Sequence, residues 1–346
     1  MAYTTIDNSG SFMNTVLYAG NSPSTQSITG VGFQPDLVWI KSRSSTEWHN
    51  IVDAVRGNTS NIYSNAINAA DTASRVTAFG ADGFSLGAID GVNNGADNFV
   101  SWNWKANGAG SAAYHDGAIL YSTLSVNTTS RFSISTYNGS GSAGATFGHG
   151  LGVVPNMVVI KRTGTNDDWQ VYHSANTSAP ETDYLVLNTN AATTDALDRW
   201  NDTAPTTTLV TLGDADAVNA SGNGYVAYCF ADVAGYSKFN SYTGNGDADG
   251  TFIYTGFRPA FVIIKAASVQ NWVMFDSKRL GYNDYNKNLH PNEPAAEEVL
   301  AFDILSNGFK PRTTDGKINT SSVNYIYMAF AEAPFVNSSG VPCNAR

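Results

Sequence analysis

The stretch Pro35-Asp36-Leu37-Val38-Trp39-Ile40-Lys41 returns twice further along the chain. Its counterparts are Pro155-Asn156-Met157-Val158-Val159-Ile160-Lys161 and Pro259-Ala260-Phe261-Val262-Ile263-Ile264-Lys265. Each is a short, β-branched run between proline and lysine, which is the pattern of a central strand with both faces covered. Proline is tolerated where a strand begins, because there it need not donate to the ladder. The sequence therefore predicts one structural unit that is used three times.

The neighbours of this stretch recur in the same order. A Tyr-x-Gly turn precedes each copy, with Tyr18, Tyr137 and Tyr242 as its tyrosines. An aromatic-rich strand closes each copy, at residues 99–104, 225–230 and 325–330. In the second and third closing strands, bulky side chains alternate with small ones, so one face is predicted to carry bulk for a core. The other face is predicted to admit a second layer.

Turn residues are dense and helical signals are few. Asp82-Gly83 and Asn307-Gly308 mark hairpin-type turns. Many short strands with frequent turns predict an all-β fold of three tandem antiparallel β-sandwich domains, of jelly-roll or lectin-like type. The predicted domains are residues 1–108, residues 109–235 with a linker, and residues 236–346 with a C-terminal tail. Segments 65–73 and 295–300 are candidates for a short turn of helix.

Composition narrows the function classes. The net charge is −10 and only 14% of the 346 residues are charged. An acidic chain without basic patches is not expected to bind nucleic acid or an anionic membrane. No apolar run approaches the ~18 residues of a membrane helix. The first residues lack the basic start and apolar core of a signal peptide, which predicts synthesis in the cytoplasm.

Signatures of enzymes are weak, so we predict no enzyme, no catalytic residue, no metal and no cofactor. The five histidines show no metal-ligand spacing, and no Gly-x-Ser-x-Gly elbow occurs. His173 occupies the repeat position of Asp53 and Asp276, where a polar residue is predicted to fix a turn. Asp247-Ala248-Asp249-Gly250 is similar to part of a calcium loop, but Gly256 stands where its glutamate is needed. Bound Ca²⁺ and solvated turn residues both stay open there.

Aromatic residues are the best candidates for ligand contact. Trp48, Trp169 and Trp272 lie 13, 14 and 13 residues after their prolines. An exposed tryptophan could stack on a sugar face, whereas a buried one plugs a core, and recurrence inside each framework favours the core. Loops that differ between copies, at 50–70, 174–200 and 282–294, are the better place for specificity. Tyr282, Tyr285 and His290 form a candidate binding patch in the third loop.

Three segments carry a resemblance to a known family. They are residues 32–41, residues 225–246 with Tyr-Val-Ala-Tyr-Cys-Phe-Ala at their start, and residues 325–335 with Tyr-Ile-Tyr-Met-Ala-Phe-Ala-Glu-Ala-Pro-Phe. Together they resemble a family of bacteriophage virion proteins, common in marine phages and described as tail-fibre or structural proteins. The resemblance implies membership of a virion. It supplies neither a catalytic residue nor a ligand.

The expected function is that of a phage virion structural protein, a tail fibre or similar appendage, which attaches to the host surface through its loops. Expected partners are other virion proteins and a host-surface glycan or protein, with glycan favoured. By analogy with tail appendages a homotrimer is expected. A capsid decoration or head-fibre protein is the first alternative, and a glycan depolymerase is the second.

Overall fold

The structure of the chain is a computed structural model that describes residues 3–112, 117–119, 122–279, 283 and 287–343. It confirms the all-β class, because antiparallel pairs build each of the large sheets. Among these residues, no helix has the length and apolar character that crossing a bilayer requires.

The first repeat forms a large and a small sheet. Its elements are a 3-10 turn (Ser9–Ser11), β1 (Met13–Ala19), β2 (Gln26–Thr29), β3 (Leu37–Ser42), β4 (Asn50–Asp53), β5 (Asn61–Tyr63), β6 (Val76–Gly80), β7 (Gly83–Leu86), α1 (Asp90–Asn93) and β8 (Asn98–Trp104). The large sheet has the order β1-β8-β3-β4-β5, and the small sheet has the order β2-β7-β6.

The second repeat has the same plan with additional edge strands. Its elements are β9 (Ser111–Ala112), β10 (Ser122–Asn127), β11 (Phe132–Asn138), β12 (Ala145–Gly148), β13 (Met157–Arg162), β14 (Gln170–His173), β15 (Asp183–Val186), β16 (Thr194–Asp195), α2 (Leu197–Trp200), β17 (Leu209–Leu212), α3 (Asp216–Asn219) and β18 (Gly224–Phe230). The large sheet has the order β16-β15-β14-β13-β18-β11-β10-β9, and β12 pairs with β17.

The third repeat completes the series. Its elements are β19 (Ser237–Thr243), β20 (Ile253–Tyr254), β21 (Phe257–Ala266), β22 (Val273–Asp276), β23 (Lys287–Asn288), β24 (Glu298–Val299), β25 (Phe302–Leu305), β26 (Gly308–Pro311) and β27 (Asn324–Pro334). The large sheet has the order β19-β27-β21-β22, the small sheet has the order β20-β26-β25, and β23 pairs with β24.

The two predicted turns of helix are wrong. Segment 65–73 contains no helix, and its Ala70 N–H instead bonds the Thr163 carbonyl of the second repeat at 2.8 Å. In segment 295–300, Glu298–Val299 forms strand β24 opposite β23. Bonds to another part of the chain outweigh the weak local propensity in both places.

The three proline-to-lysine stretches are equivalent in register. Leu37 of β3 lies opposite Trp104 on one side and Asp53 on the other. β13 and β21 lie in the same way between a closing strand and the strand that follows the lysine loop. The prediction of one unit that is used three times is therefore confirmed at the level of strand pairing.

The glycine of the Tyr-x-Gly motif allows two backbone segments to pack closely. A Cβ added to Gly20 would lie 1.9 Å from the Asn94 carbonyl oxygen. At Gly139 and Gly244 it would lie 2.3 Å from a backbone oxygen. Because no side chain fits at these distances, glycine lets the turn approach the segment that leads into the closing strand.

A buried asparagine in each copy, which the sequence analysis missed, supports this turn. Asn93, Asn219 and Asn319 are fully buried. The Asn93 amide donates to the carbonyls of Gly87 and Ser24 at 3.1 and 2.9 Å. The signal in the sequence is an aspartate a few residues ahead of Val-Asn or Ile-Asn, shortly before each closing strand.

The bulky faces of the closing strands meet in one shared core. Trp102 and Trp104, Phe230 and Phe330 belong to a single buried cluster that takes residues from all three repeats. The Trp104 and Phe330 rings are 5.9 Å apart, and the Phe230 and Phe330 rings are 6.1 Å apart. The alternate residues of each closing strand face the core between its own large and small sheet. The predicted domain boundaries stay predictions, and the three units share a hydrophobic interior.

Polar contacts close the repeats into a ring. The first repeat contacts the second, the second contacts the third, and the third contacts the first. The three contacts are Tyr228 OH to Asp53 Oδ2 at 2.7 Å, the His173 ring to the Tyr327 carbonyl at 3.1 Å, and Trp102 Nε1 to Asp276 Oδ2 at 3.1 Å. Buried polar groups at the three junctions are thus used to hold neighbouring repeats together.

Asp53, His173 and Asp276, which take part in these contacts, also fix local turns, as was predicted for His173. His173 Nδ1 accepts from the Ala175 N–H at 3.2 Å. Asp53 and Asp276 accept from backbone N–H groups two and three residues on. The prediction at His173 is therefore confirmed, and the contact to the neighbouring repeat adds a second role.

Candidate functional site

Two of the three candidate tryptophans are buried core residues. Trp169 and Trp272 are 0% and 1% exposed. The Trp169 Nε1–H donates to the Tyr63 carbonyl at 2.8 Å, and the Trp272 Nε1–H donates to the Val186 carbonyl at 2.9 Å. Each indole therefore lies in the core that the three repeats share and bonds the preceding repeat, which leaves no face for a ligand.

Trp48 is not the counterpart of these two residues, so the predicted threefold equivalence is wrong. Asn50 lies opposite Ile40 in the first repeat, as Gln170 lies opposite Ile160 in the second. The residue one position earlier, His49, therefore occupies the place of Trp169. His49 is fully buried, and its ring faces the His290 backbone across the junction between the third and first repeats.

The large side chain of Trp39 explains why the smaller His49 stands where the other repeats have a tryptophan. Trp39 occupies the strand position that Val159 and Ile263 hold in the other repeats. The Trp39 Nε1–H donates to His49 Nδ1 at 2.9 Å. A large residue on the strand leaves room for a smaller one after the loop, because interiors are close-packed. Burial and the nearby Lys41 keep the pKa of His49 well below its ordinary value, so the ring is neutral.

Trp48, displaced by one residue, lies at the surface. It is 42% exposed. Its ring packs edge-on against Tyr63, with centroids 4.7 Å apart and planes at 77°. The Arg75 guanidinium lies over the same Tyr63 ring at 5.3 Å. Edge-to-face packing of this kind is favourable, and it holds the indole in one orientation.

An ion pair fixes the tyrosine beneath Trp48. The Tyr63 hydroxyl donates to the Asp71 carboxylate. Arg75 pairs with the same carboxylate at 2.6 Å. Burial, and next the hydrogen bond to Asp71, raise the pKa of Tyr63 to about 12, so its hydroxyl remains a donor at neutral pH. Trp48, Tyr63, Asp71 and Arg75 are called the Trp48 platform below.

Polar side chains surround Gly91 of α1 beside the platform. A Cβ placed on Gly91 would be 3.6 Å from Asn50 Nδ2, 3.7 Å from Glu47 Oε2 and 4.0 Å from Arg75 Nε. In the described part of the chain, Asn50 Oδ1 and Arg75 Nε have no hydrogen-bond partner. Both atoms are enclosed by their surroundings, and unmet buried donors and acceptors of this kind are uncommon in folded proteins.

The described residues of the other two repeats form no such platform. The counterparts of Trp48, one residue before the buried indoles, are Asp168 and Asn271. The second repeat does place Arg199 over Tyr184 at 4.6 Å, which repeats the cation–aromatic pair without an exposed indole. At this loop position the first repeat alone exposes an aromatic side chain, whereas the third repeat exposes Phe252 and Tyr254 elsewhere, at 45% and 57%.

The repeated lysines are structural. Lys41, Lys161 and Lys265 are fully buried, and each ammonium donates to backbone carbonyls of nearby loops. Burial lowers the pKa of Lys41 and Lys161 to about 8, and that of Lys265 to about 7. Because no substrate can reach a sealed amine, the loop carbonyls account for these lysines.

The candidate binding patch of the third repeat consists of His290, Tyr282 and Tyr285. His290 is 4% exposed, and its ring bonds the Trp272 carbonyl and Glu298, each at 2.7 Å. It is therefore a framework residue and not part of an exposed patch. Tyr282 and Tyr285 lie outside the described residues.

Basic side chains pair with an aspartate of the calcium-like turn. Asp249 pairs with Lys310 at 2.7 Å and with Arg312. Asp247 accepts the Asp249 N–H at 2.8 Å in a local turn. The described residues contain no cluster of His, Cys, Asp and Glu that could hold a metal ion.

The described ends of the chain lie away from the Trp48 platform. Met13, where β1 begins, lies opposite Trp104 at one end of the first large sheet, whereas the loop that carries Trp48 follows β3 at the other end. The C-terminal segment joins the N-terminal one, since the Ser338 N–H donates to Asp7 at 2.7 Å. Both ends of the described chain are thus held together on one side.

The comparisons with known proteins agree with a single unit that spans all three copies. One family model, described as "Domain of unknown function (DUF7483)", matches residues 8–334. No protein with a curated description matches the chain. The matched region runs from just before β1 to the last residue of β27, so it includes every repeat and the ring that they form. The chain therefore belongs to the DUF7483 family.

Proposed function

We propose that this protein is a non-enzymatic structural protein of a bacteriophage virion, a tail fibre or similar appendage, that attaches to the host surface. It is made in the host cytoplasm and leaves on the particle. Its ligand is a host-surface glycan, contacted by loops. The resemblance of the repeat segments to phage virion proteins supports the location, and the Trp48 platform supports the binding role.

The exposure of Trp48 carries the proposal. The other functional groups that recur in the repeats are buried. They are the three lysines, the two indoles of Trp169 and Trp272, and His173. On the same frame, one loop presents an indole at 42% exposure with fixed orientation. A display protein needs this combination, because a rigid scaffold lets a loop bind without first being ordered.

The position of the termini supports attachment from one side. The contact between Ser338 and Asp7 gathers both described ends of the chain at the end of the first large sheet that lies away from Trp48. Other virion proteins would be contacted through that side and the host through the loop. The proposed assembly is a homotrimer, by analogy with phage tail appendages, and the mass of the purified protein in solution tests it.

Imaging and competition test the proposal together. Antibody labelling of intact particles should place the chain on the tail or a fibre. Soluble protein added before infection should compete with the particle and lower adsorption. Label spread evenly over the head would identify a capsid decoration protein, and absence of label from particles would refute the proposal.

A separate assay addresses the enzymatic alternative. Purified protein is incubated with host envelope polysaccharide, and the chain length of the polysaccharide is measured over time. Unchanged length is expected. Shortened products would show a depolymerase and overturn the non-enzymatic assignment.

A further inference from the structure

We propose that the centre of the ring is a binding site for a single small apolar guest, such as an inert-gas atom or a light hydrocarbon. The site is a cavity of about 40 Å³ inside the core that the three repeats share. The inference is independent of the proposed attachment function, because it depends only on the interior of the ring.

Residues of all three repeats line this cavity. Trp39, Val159 and Ile263 hold equivalent places on the central strands of the first, second and third repeat, and all three contribute to its wall. Tyr228 and Met328, which lie opposite Val159 and Ile263 on the closing strands, line it as well. The cavity therefore exists only where the three repeats meet and belongs to the ring as a whole.

The wall of the cavity is apolar. Among the described residues, only aliphatic, methionine and aromatic side chains line it. The Tyr228 hydroxyl and the Trp169 Nε1–H bond neighbouring repeats instead, and the unpaired Trp104 Nε1 is enclosed. A water molecule needs roughly 10–15 Å³ and about two to four polar partners. The cavity offers the volume without the partners, so it suits an apolar guest better than water.

Two neighbouring valines of β13 show where the empty space lies. Val159 faces the shared core and keeps 6% of its surface, although its strand is paired on both sides. Val158 faces the core of the second repeat alone and is 0% exposed. Since both valines lie in the interior, the surface that Val159 retains borders the cavity.

A guest of matching size gains contacts that the wall lacks. Atoms beside a void forgo dispersion contacts, and transfer of an apolar guest out of water is favourable. Benzene occupies an engineered cavity of about 150 Å³, so the cavity in this ring suits a much smaller guest. Binding to the folded ring and not to the unfolded chain should stabilise the fold.

The experiment is NMR on the full chain with ¹³C in the methionine methyl groups, under xenon at increasing pressure. Met157 and Met328 line the cavity, whereas Met274 is buried in the same core but does not line it. The Met157 and Met328 methyl signals should shift and then saturate as the pressure rises. The Met274 signal should shift less, and benzene should not move the two lining signals.

Val159→Ile fills the cavity with an added methyl group. The third repeat already has Ile263 at the equivalent place, so the strand accepts this side chain. The saturable xenon shift should be lost, while the urea midpoint of unfolding should not fall. Val158→Ile is the matched control on the opposite face of the strand, where the added methyl overfills a packed core and lowers the midpoint. Val269→Ile, at a position that is 62% exposed, should retain both the xenon shift and the midpoint.

Four results would overturn the inference. The first is a wild-type protein whose lining methionines show no saturable shift, and the second is a Met274 shift as large as theirs. The third is a Val159→Ile variant that still shows the saturable shift or loses as much stability as Val158→Ile. The fourth is benzene that shifts the lining signals as xenon does, which would show that the cavity is not selective for small guests.

Discussion

Trp48 and Trp169 follow equivalent strands at nearly the same distance, yet Trp48 lies at the surface and Trp169 lies in the core that the three repeats share. Trp169 is fully buried and bonds the neighbouring repeat through its Nε1–H. Trp48 is 42% exposed, and its ring bonds no other repeat among the residues that the structure describes. The difference is one position in the strand register, because His49 takes the buried place.

This comparison shows how a repeat protein can gain a binding surface without losing its frame. A bulky Trp39 on the strand replaces the volume that the buried indole fills elsewhere, and His49 completes the packing. The displaced tryptophan is then available on the outside. Close packing of the interior thus determines which of three similar sequences exposes its aromatic residue.

The largest expected effect is on the buried side of the comparison. Trp169→Ala should lower the free energy of unfolding by about 3–5 kcal/mol, because it removes a large core side chain and leaves a cavity. It also leaves the Tyr63 carbonyl without its donor. Urea denaturation, followed by circular dichroism, measures the change. A loss no larger than that of Trp48→Ala would contradict the assignment of Trp169 as a plug.

The next effect depends on pH and concerns the second repeat. Burial lowers the pKa of His173 to about 4 from an ordinary 6.5. Between these values the unfolded chain binds the proton and the folded chain does not, so stability falls as pH falls through this window. The contribution is up to about 3 kcal/mol from the size of the shift. Urea unfolding at pH 4 to 7 measures it.

His173→Gln is the control for that slope. The variant removes the titrating ring, so the dependence of unfolding free energy on pH should become shallower. His49, whose pKa burial also lowers, should maintain a residual slope in the same direction. An unchanged slope in His173→Gln would show that His173 does not carry the effect.

A smaller effect tests the exchange of bulk itself. His49→Trp alone should overfill the first repeat and cost about 1–3 kcal/mol. Adding Trp39→Val recreates the pairing of Val159 with Trp169, so the double variant should be more stable than either single variant. Unfolding free energies of the four proteins form a double-mutant cycle. Additive costs would mean that the two positions do not share volume.

The smallest effect is on the exposed side. Trp48→Ala should cost about 1 kcal/mol or less, because it removes an exposed side chain whose main contact is the edge of Tyr63. Thermal unfolding measures it beside Trp169→Ala. A cost of several kcal/mol would show that the platform is part of the frame and weaken its reading as a binding surface.

Much of the fold was predictable and much of the site was not. The period of the proline-to-lysine stretch indicates three equivalent central strands, and alternation in the closing strands indicates which face carries bulk. His173 was placed in a turn by its position alone. The distance of Trp48 from Pro35, by contrast, suggested burial. Counting residues along a loop cannot reveal a register shift, because pairing across the sheet sets the register.

The amino-acid sequence by itself determined the class of fold, the threefold repetition and the local turns, since these follow from periodicity, glycine and short-range hydrogen bonds. Only the tertiary structure decided that three repeats share one core and close into a ring, and that Trp48 alone among the three recurring tryptophans faces outward. Those outcomes depend on volumes and hydrogen bonds between side chains more than a hundred residues apart, such as Asp53 with Tyr228, and no local pattern encodes them.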